Sequence, residues 1–170
     1  MLKIFNDLKP FFENNYKRIN VREYSRIRGI SPPSASKLLN ELEKETLLNK
    51  EKERNYIFYS ANKESKLFLE LSKTYIFLKF QEIKLIDYFE KELINPHVVL
   101  FGSFSKAEIN ENSDIDLAIF ASSKKSIDLN EFEKKLKRKI QLFIFTDQND
   151  IKNRDLMKSI FNGFNLLRSW

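Results

Sequence analysis

The sequence contains no cysteine, one histidine and only 3 glycines among its 170 residues. Without cysteine there is no disulfide framework and no thiolate metal site, and His97 alone cannot build a histidine zinc site. Any bound metal is therefore expected to be a hard cation held by carboxylates. No stretch approaches the ~20 apolar residues that span a bilayer, and charged residues interrupt the N-terminus where a signal peptide would lie. We expect a cytoplasmic protein with no membrane partner.

The composition is that of a folded protein. Hydrophobic residues make up 42% of the chain and charged residues 32%, with 16 phenylalanines, which excludes a disordered polymer. The net charge of +6 leans to the N-terminal third, since residues 1–60 carry 12 Lys and Arg against 8 Asp and Glu. This excess permits binding to a polyanion without establishing it. The length suits one ordinary domain or two small ones, and the changes of pattern along the chain favour two.

The N-terminal third predicts a helix, a sharp turn, a second helix and a charged hairpin. The first helix, "NVREYSRIRG", has Asn20 as its N-cap and ends at Gly29. The second runs from about Pro32 to Glu45, with Ser31 as its N-cap and prolines in its first turn. A charged hairpin tip at residues 50–55 then leads into the β-prone run "YIFY".

This order resembles the winged helix-turn-helix domains of archaeal and bacterial transcription regulators, most clearly from Ser31 to Leu48. The resemblance implies binding to double-stranded DNA, with the start of the second helix at base edges and phosphates and the wing on phosphates. Five glutamates between residues 41 and 53 would have to face away from the DNA. A helical hairpin used only for packing or dimerisation is the alternative. The residues assigned to DNA are Ser34, Ser36, Lys37, Lys52 and Arg54.

Residues 64–93 form the longest helical pattern, and its apolar positions, from Leu67 to Phe89, lie on more than one side. Such a helix needs more than one partner, so we expect it to pack against both domains, or in part against a second subunit in a homodimer. Asn95 and Pro96 end the pattern. The predicted domains are a winged helix-turn-helix at residues 1–62, a connecting helix at 63–95 and a C-terminal domain at 96–170.

Beyond Pro96 the pattern changes to strand, loop, strand, helix, strand and helix, and the last helix is closed by Gly163. This predicts a small mixed sheet with helices. After the last helix we expect a short tail in which Trp170 anchors the packing. The whole chain is therefore expected to be an α+β protein in which a long helix connects the winged helix to the C-terminal sheet.

The stretch "LFGSFSKAEINENSDIDLAIF" carries the chemistry. Residues two apart in a strand point the same way, so Asp114 and Asp116 share one face of the second C-terminal strand. Two carboxylates this close repel each other unless a cation lies between them, and Mg²⁺ prefers oxygen ligands while keeping waters and phosphates in its shell. Gly102 allows close approach of a phosphate, and the Ser103 hydroxyl can donate to it. These residues suit a nucleoside triphosphate (NTP).

Gly102 and Ser103, ten intervening residues and Asp114-Ile115-Asp116 resemble the motif of the minimal members of the DNA polymerase β-type nucleotidyltransferase superfamily. The resemblance covers residues 96–170. It implies transfer of a nucleoside monophosphate from an NTP to a hydroxyl by two-metal in-line displacement, with Mg²⁺ or Mn²⁺. Asp114 and Asp116 would be the catalytic metal ligands, and Gly102 and Ser103 would bind the leaving phosphates. A surface turn with two incidental aspartates is the alternative.

The chain departs from the family pattern at two positions. Lys106 replaces a residue that is usually small, and Gln141 stands where the third carboxylate normally helps to deprotonate the attacking hydroxyl. An amide cannot accept that proton; Asp147 lies too far along the strand to substitute, and Glu108 and Glu111 in the motif loop stay open as substitutes.

Two hypotheses therefore remain. In the first hypothesis, the protein is an enzyme that modifies a partner protein or a nucleic acid, as antitoxin-like nucleotidyltransferases do. Alternatively, it is a DNA-binding regulator whose degenerate C-terminal domain only binds the nucleotide.

Overall fold

The computed structural model describes residues 2–122 and 126–168. The chain forms two compact units. Unit 1 comprises Met1–Ser72 and Ala107–Glu111, and unit 2 comprises Lys73–Lys106 and Asn112–Trp170. None of the helices within the described ranges is long and apolar enough to cross a membrane.

Unit 1 contains three helices ahead of a β-hairpin. The three strands form an antiparallel sheet of order β1-β3-β2. The N-terminal helix, which we did not predict, buries four apolar side chains of the unit's core and also Asp7. In chain order the elements are α1 (Lys3–Glu13), β1 (Ile19–Asn20), α2 (Val21–Arg28), α3 (Pro32–Lys44), β2 (Leu48–Glu53) and β3 (Tyr56–Ala61).

The ends of α2 and α3 confirm the predicted caps. Asn20 Oδ1 accepts a hydrogen bond from the Glu23 amide at 3.0 Å, and Ser31 Oγ accepts one from the Ser34 amide at 3.3 Å. Gly29 ends α2 in the left-handed region, with φ of 62°, which costs glycine little because it has no Cβ. The turn between the two helices is therefore fixed by local sequence.

The hairpin differs from its prediction at residues 50–55. Strand β2 continues to Glu53, where it pairs with Tyr56, so the turn is reduced to Arg54 and Asn55. The prediction was wrong because charge does not prevent strand pairing when both faces reach water. All the side chains of β2 after Leu48 are exposed.

The single long helix predicted over residues 64–93 is also wrong. The structure contains two helices, α4 (Lys66–Glu82) and α5 (Leu85–Glu92), separated by Lys84 in the left-handed region with φ of 61°. The break separates two apolar faces that one straight helix would present on different sides. Leu67 is 51% exposed, whereas α5 buries Leu85, Ile86 and Phe89. The boundary between the units falls within α4, after Ser72.

Unit 2 contains a four-stranded mixed sheet of order β6-β5-β4-β7, as the α+β prediction requires. Only the β5–β6 pair is parallel. The fourth strand occupies the segment predicted as a tail, and the predicted anchor, Trp170, lies outside the described residues. The elements are β4 (His97–Phe101), α6 (Ser103–Lys106), β5 (Ile115–Phe120), α7 (Asn130–Leu136), β6 (Ile140–Phe145), a 3₁₀ helix (Gln148–Asp150), α8 (Arg154–Phe161) and β7 (Phe164–Leu167).

One face of this sheet packs under the segment from the 3₁₀ helix to α8. Ile151 and Ile160 are buried against Val99, Phe101 and Ala118. Further aromatic and aliphatic side chains surround this cluster, namely Phe120, Phe143, Phe145, Leu156 and Met157. The cluster fixes the strands whose ends carry the predicted site.

Residues Ala107–Glu111 interrupt unit 2 and belong to unit 1. The Asn15 amide donates to the Ile109 carbonyl at 2.8 Å, and the Ile109 amide donates to Asn15 Oδ1 at 2.7 Å. Asn15 Nδ2 donates in turn to the carbonyl of Phe11 at 2.7 Å. Asn15 and Ile109 are each only 2% exposed. This reciprocal pair anchors the middle of the loop between Ser103 and Asp114.

Candidate functional site

The paired carboxylates lie at the start of β5. Asp114 immediately precedes the strand and Asp116 is its second residue; both are half-buried. Ile115 and Leu117 between and after them are fully buried, at 0% exposure. The alternation therefore directs the two carboxylates to one face of the sheet and the aliphatic side chains into the core on the other.

Gly102 directly contacts the Asp116 side chain. Asp116 lies opposite Phe101 in the antiparallel β4–β5 pair, so the residue after Phe101 falls beside the carboxylate. A Cβ atom at position 102 would collide with Asp116 Oδ2, and Gly102 has φ of 69°. Both the close approach and the left-handed backbone require glycine. The glycine of the motif thus brings the backbone of the Gly102-Ser103 turn against the second aspartate.

Gln141 lies at the same place on the adjacent strand. It pairs with Asp116 in the parallel β5–β6 ladder. Its Nε2 donates a hydrogen bond of 2.9 Å to Asp114 Oδ2. The amide therefore lies beside both aspartates.

Two of the other carboxylates that the sequence offers, Glu111 and Asp147, make hydrogen bonds with other residues. Within residues 2–122 and 126–168, no group of three or more His, Asp or Glu side chains could hold a metal ion. Glu111 accepts from Asn14 Nδ2 at 3.5 Å within unit 1, and Glu108 belongs to the same loop. Asp147 caps the 3₁₀ helix through the Asn149 amide at 2.6 Å. The polar side chains that the structure brings together at the start of β5 are therefore two carboxylates and one amide.

The electrostatics of the pair fit a cation. Burial raises the pKa of Asp116, and the nearby charge of Asp114 raises it further. Both effects disfavour the ionised form of Asp116, and a bound divalent cation would reverse the balance. Two half-buried carboxylates on one face match the oxygen donors that Mg²⁺ and Mn²⁺ prefer. Asp114 and Asp116 would hold such a cation.

Two further residues, Arg138 and Glu133, to which the sequence analysis gave no role, support the site. Arg138 Nη1 donates to the Ser113 carbonyl at 2.7 Å. Glu133 accepts from the Ile140 amide at 2.9 Å and from Lys139 Nζ at 2.8 Å. The hydrogen bond from Lys139 and that from the Ile140 backbone lower the pKa of Glu133. Glu133 thus fixes the start of β6 at Ile140, one residue before Gln141.

The residues assigned to DNA all lie in unit 1, in two places. Ser34, Ser36 and Lys37 belong to the first turns of α3. The hydroxyl of Ser34 lies 2.9 Å from Ser31 Oγ, Ser36 is half-buried and Lys37 is exposed. Lys52 and Arg54 are exposed at the far end of the hairpin, where Arg54 forms the turn with φ of 52°.

Two hydrogen bonds that we did not predict join α3 to the β2–β3 hairpin. Lys50 Nζ donates to Asn40 Oδ1 of α3 at 2.6 Å, and Tyr59 donates its hydroxyl to the same oxygen at 3.0 Å. Because side chains alternate along a strand, Lys52 lies on the same face of β2 as Lys50. Glu51 and Glu53 lie on the opposite face of β2.

Those two glutamates pair with a basic residue outside the hairpin. Arg18 Nη2 lies 3.2 Å from Glu51 Oε2 and 2.9 Å from Glu53 Oε2. Its guanidinium also lies over the Phe58 ring, 4.8 Å from the centroid. The strand therefore carries its two lysines on one face and its two glutamates on the other.

A family model described as "Polymerase beta, Nucleotidyltransferase" matches residues 83–168, which is 86 of the 170 residues. The mixed sheet, the Gly102–Asp116 contact and this match together define unit 2 as a nucleotidyltransferase domain. The chain belongs to the polymerase beta nucleotidyltransferase family. A search of curated proteins gave no significant match.

Proposed function

We propose that the protein is a Mg²⁺- or Mn²⁺-dependent nucleotidyltransferase that transfers a nucleoside monophosphate from an NTP to a hydroxyl of a protein or a nucleic acid. The observation that carries this proposal is the contact between Gly102 and the Asp116 carboxylate. It brings a backbone turn suited to phosphate beside a pair of carboxylates suited to a cation. Both halves of the family motif are thus retained in one arrangement.

The chain's own residues have distinct roles in this proposal. Asp114 and Asp116 hold the cation, which when bound neutralises charge on the transferring phosphoryl group. Gly102 and Ser103 bind the phosphates of the leaving pyrophosphate, to which the Ser103 hydroxyl donates. Gln141 orients Asp114 through its amide but cannot take the proton of the attacking hydroxyl. Since general base catalysis contributes about 10²- to 10⁴-fold, its absence slows transfer without abolishing it.

The second candidate is a DNA-binding regulator that binds the nucleotide without turnover. The hydrogen bond from Gln141 to Asp114 favours it, because this amide occupies the place of the third carboxylate. Both candidates include nucleotide binding at Asp114 and Asp116, and they differ only in transfer.

We further propose that unit 1 is a winged helix-turn-helix domain that binds double-stranded DNA. The capped pair α2 and α3, followed by the β2–β3 hairpin, supports this assignment. So does the separation of lysines and glutamates on β2, since Lys50 and Lys52 share a face from which Glu51 and Glu53 are excluded. In this proposal α3 enters the major groove, and Lys52 and Arg54 contact phosphates.

The transfer proposal is tested with NTPs carrying radioactive phosphorus at the α position. Wild-type protein with Mg²⁺ is expected to label an acceptor in cell extract. Asp114→Asn and Asp116→Asn should each reduce labelling by about 10³-fold, because each removes a cation ligand whose contribution is several kcal/mol. The labelled band identifies the acceptor class. Glu131→Gln, on the exposed surface of α7, is the matched control.

Retained labelling in either aspartate variant would contradict the metal assignment. No labelling by wild type, together with Mg²⁺-dependent NTP binding that both variants lose, would select the regulator instead. Circular dichroism of each variant verifies that the fold is intact. Asp116→Asn is expected to stabilise the metal-free protein slightly, because it removes a half-buried charge that Asp114 repels.

The DNA proposal predicts a change in salt dependence. Lys37→Ala and Arg54→Ala should each weaken binding to duplex DNA and lower the slope of log affinity against log salt by about 1, because each removes one phosphate contact. Fluorescence anisotropy at several salt concentrations measures both quantities. Lys9→Ala in α1, whose side chain is 51% exposed, should leave them unchanged. Equal slopes for all four proteins would contradict the docking.

A further inference from the structure

Arg138 contacts both halves of the Gly102-Ser103 and Asp114-x-Asp116 motif. Its Nη1 donates to the Ser113 carbonyl at 2.7 Å, one residue before Asp114. Its guanidinium lies over the Phe104 ring, 5.3 Å from the centroid, one residue after Ser103. Phe104 itself is 4% exposed. One side chain thus joins the segment that carries the phosphate-binding residues to the segment that carries the carboxylates.

The strand pairing of the sheet does not extend to the residues that Arg138 joins. The β4–β5 ladder ends at the pair formed by Phe101 and Asp116, so strand pairing does not hold Ser103 or Asp114. Between them, residues 107–111 pass through unit 1. The two residues that must face the same ligand are therefore neither adjacent in sequence nor paired in the sheet. Within unit 2, Arg138 joins these two segments in addition to the contact between Gly102 and Asp116.

The backbone that carries Arg138 is itself fixed. The Arg138 amide donates to the Glu133 carbonyl at 3.2 Å, and the Lys139 carbonyl accepts from the Ile115 amide at 2.9 Å. The neighbouring basic side chain cannot replace it, because Lys139 Nζ is paired with Glu133 at 2.8 Å. Arginine suits the position because its planar guanidinium can stack on a ring and donate to a carbonyl at the same time.

We propose that Arg138 is a positioning residue that sets the separation of Ser103 and Asp114, and that nucleotide affinity depends on it. The proposal rests on the proposed nucleotide binding at this site. Arg138 acts through Ser113 and Phe104. Its removal should therefore loosen two segments that are distant in sequence while leaving the sheet intact.

The test compares wild type with two variants. Arg138→Met keeps the apolar stem. Arg138→Lys keeps the charge and a hydrogen-bond donor but loses the planar group that stacks on the Phe104 ring. Lys134→Met, on the exposed face of α7, is the matched control for loss of one positive charge. Hydrogen exchange is followed in peptides covering residues 100–106 and 111–116. Calorimetry measures the affinity for the Mg²⁺ complexes of ATP, GTP, CTP and UTP.

Arg138→Met should exchange faster in both peptides and bind the nucleotide about tenfold more weakly, the size that one charge-assisted hydrogen bond supplies. Arg138→Lys should regain part of that affinity, and Lys134→Met should match wild type. Unchanged exchange in both peptides would overturn the proposal, and so would unchanged affinity in Arg138→Met. If wild type binds none of the four NTPs, the proposed function fails. The hydrogen exchange of Arg138→Met then decides the positioning role by itself. Faster exchange in both peptides supports that role, and unchanged exchange overturns it.

Discussion

Replacing Gln141 by aspartate is expected to raise the rate of nucleotidyl transfer by about 10²- to 10⁴-fold, the usual contribution of a general base. Gln141 pairs with Asp116 across β5 and β6, and its amide already reaches Asp114. A carboxylate on this position would lie beside both aspartates. The variant would therefore gain a third oxygen ligand for the cation and a group that can accept the proton of the attacking hydroxyl.

Gln141→Asp should also lower the stability of the metal-free protein. A third carboxylate adds repulsion to a pair in which burial and Asp114 already raise the pKa of Asp116. We therefore expect Gln141→Asp to have a lower melting temperature without metal and a larger increase when Mg²⁺ is added. Thermal unfolding with and without Mg²⁺ measures both, beside the transfer rate under single-turnover conditions.

Gln141→Asn is the matched control, because it shortens the side chain by the same amount and keeps the amide. It should give neither a faster transfer nor a larger response to Mg²⁺. If Gln141→Asp were no faster than wild type while transfer still required Asp114, another group would have to serve as the base, and the assignment of Gln141 would be wrong.

Asp7→Ala is expected to destabilise the protein by about 3 kcal/mol, the cost of leaving a charge without its partner in a buried pair. The Asp7 side chain is 4% exposed, and its Oδ1 accepts from Arg28 Nη2 at 2.8 Å. Arg28 Nε is already buried without a hydrogen-bond partner. Removing the carboxylate would leave the guanidinium without its carboxylate partner between α1 and α2, and urea unfolding followed by circular dichroism measures the cost.

Tyr24 provides a local readout of the same change. Its hydroxyl donates to the Asp7 carbonyl at 2.8 Å. Burial raises the pKa of Tyr24 to about 12, and the charge of Asp7 adds to the increase. In Asp7→Ala the Tyr24 hydroxyl should therefore ionise at a lower pH than in wild type, which ultraviolet absorbance detects.

Two variants control for the Asp7 prediction. Asp7→Leu combined with Arg28→Met should recover most of the lost stability, since a buried ion pair can be replaced by apolar side chains of similar size. Glu13→Ala removes a surface carboxylate that is 43% exposed and should cost under about 1 kcal/mol. An Asp7→Ala cost as small as that of Glu13→Ala would mean that the pair contributes little to unit 1.

The features that the sequence could predict depend on neighbouring residues. The caps at Asn20, Gly29 and Ser31 require only local hydrogen bonds and one left-handed backbone. The shared face of Asp114 and Asp116 requires only the alternation of a strand. The substitution at Gln141 was also visible, because it falls at a fixed position of a strand pattern.

The remaining features depend on contacts between distant parts of the chain. Strand β7 forms by pairing with β4, which lies more than 60 residues earlier, and no local signal marks it. Lys84 ends α4 without a glycine or a proline. Arg138 reaches Ser113, which is 25 residues away, so a run of basic residues gave no sign of its role. The sequence alone does not distinguish its role from that of the lysines on either side of it, Lys137 and Lys139.

The hydrogen bonds between Asn15 and Ile109 limit where the chain can be cut and which part of it can be exchanged with another protein. A cut between Ser72 and Lys73 would divide the polypeptide at the boundary within α4. The C-terminal fragment would then contain Ala107 and Ile109 but lack Asn15. In the intact protein Ala107 and Ile109 are only 1% and 2% exposed. The fragment carrying the family motif would then display apolar side chains in the loop between its two halves. The N-terminal unit is thus no detachable module, and exchanging it for that of another protein requires residues 107–111 to be exchanged with it.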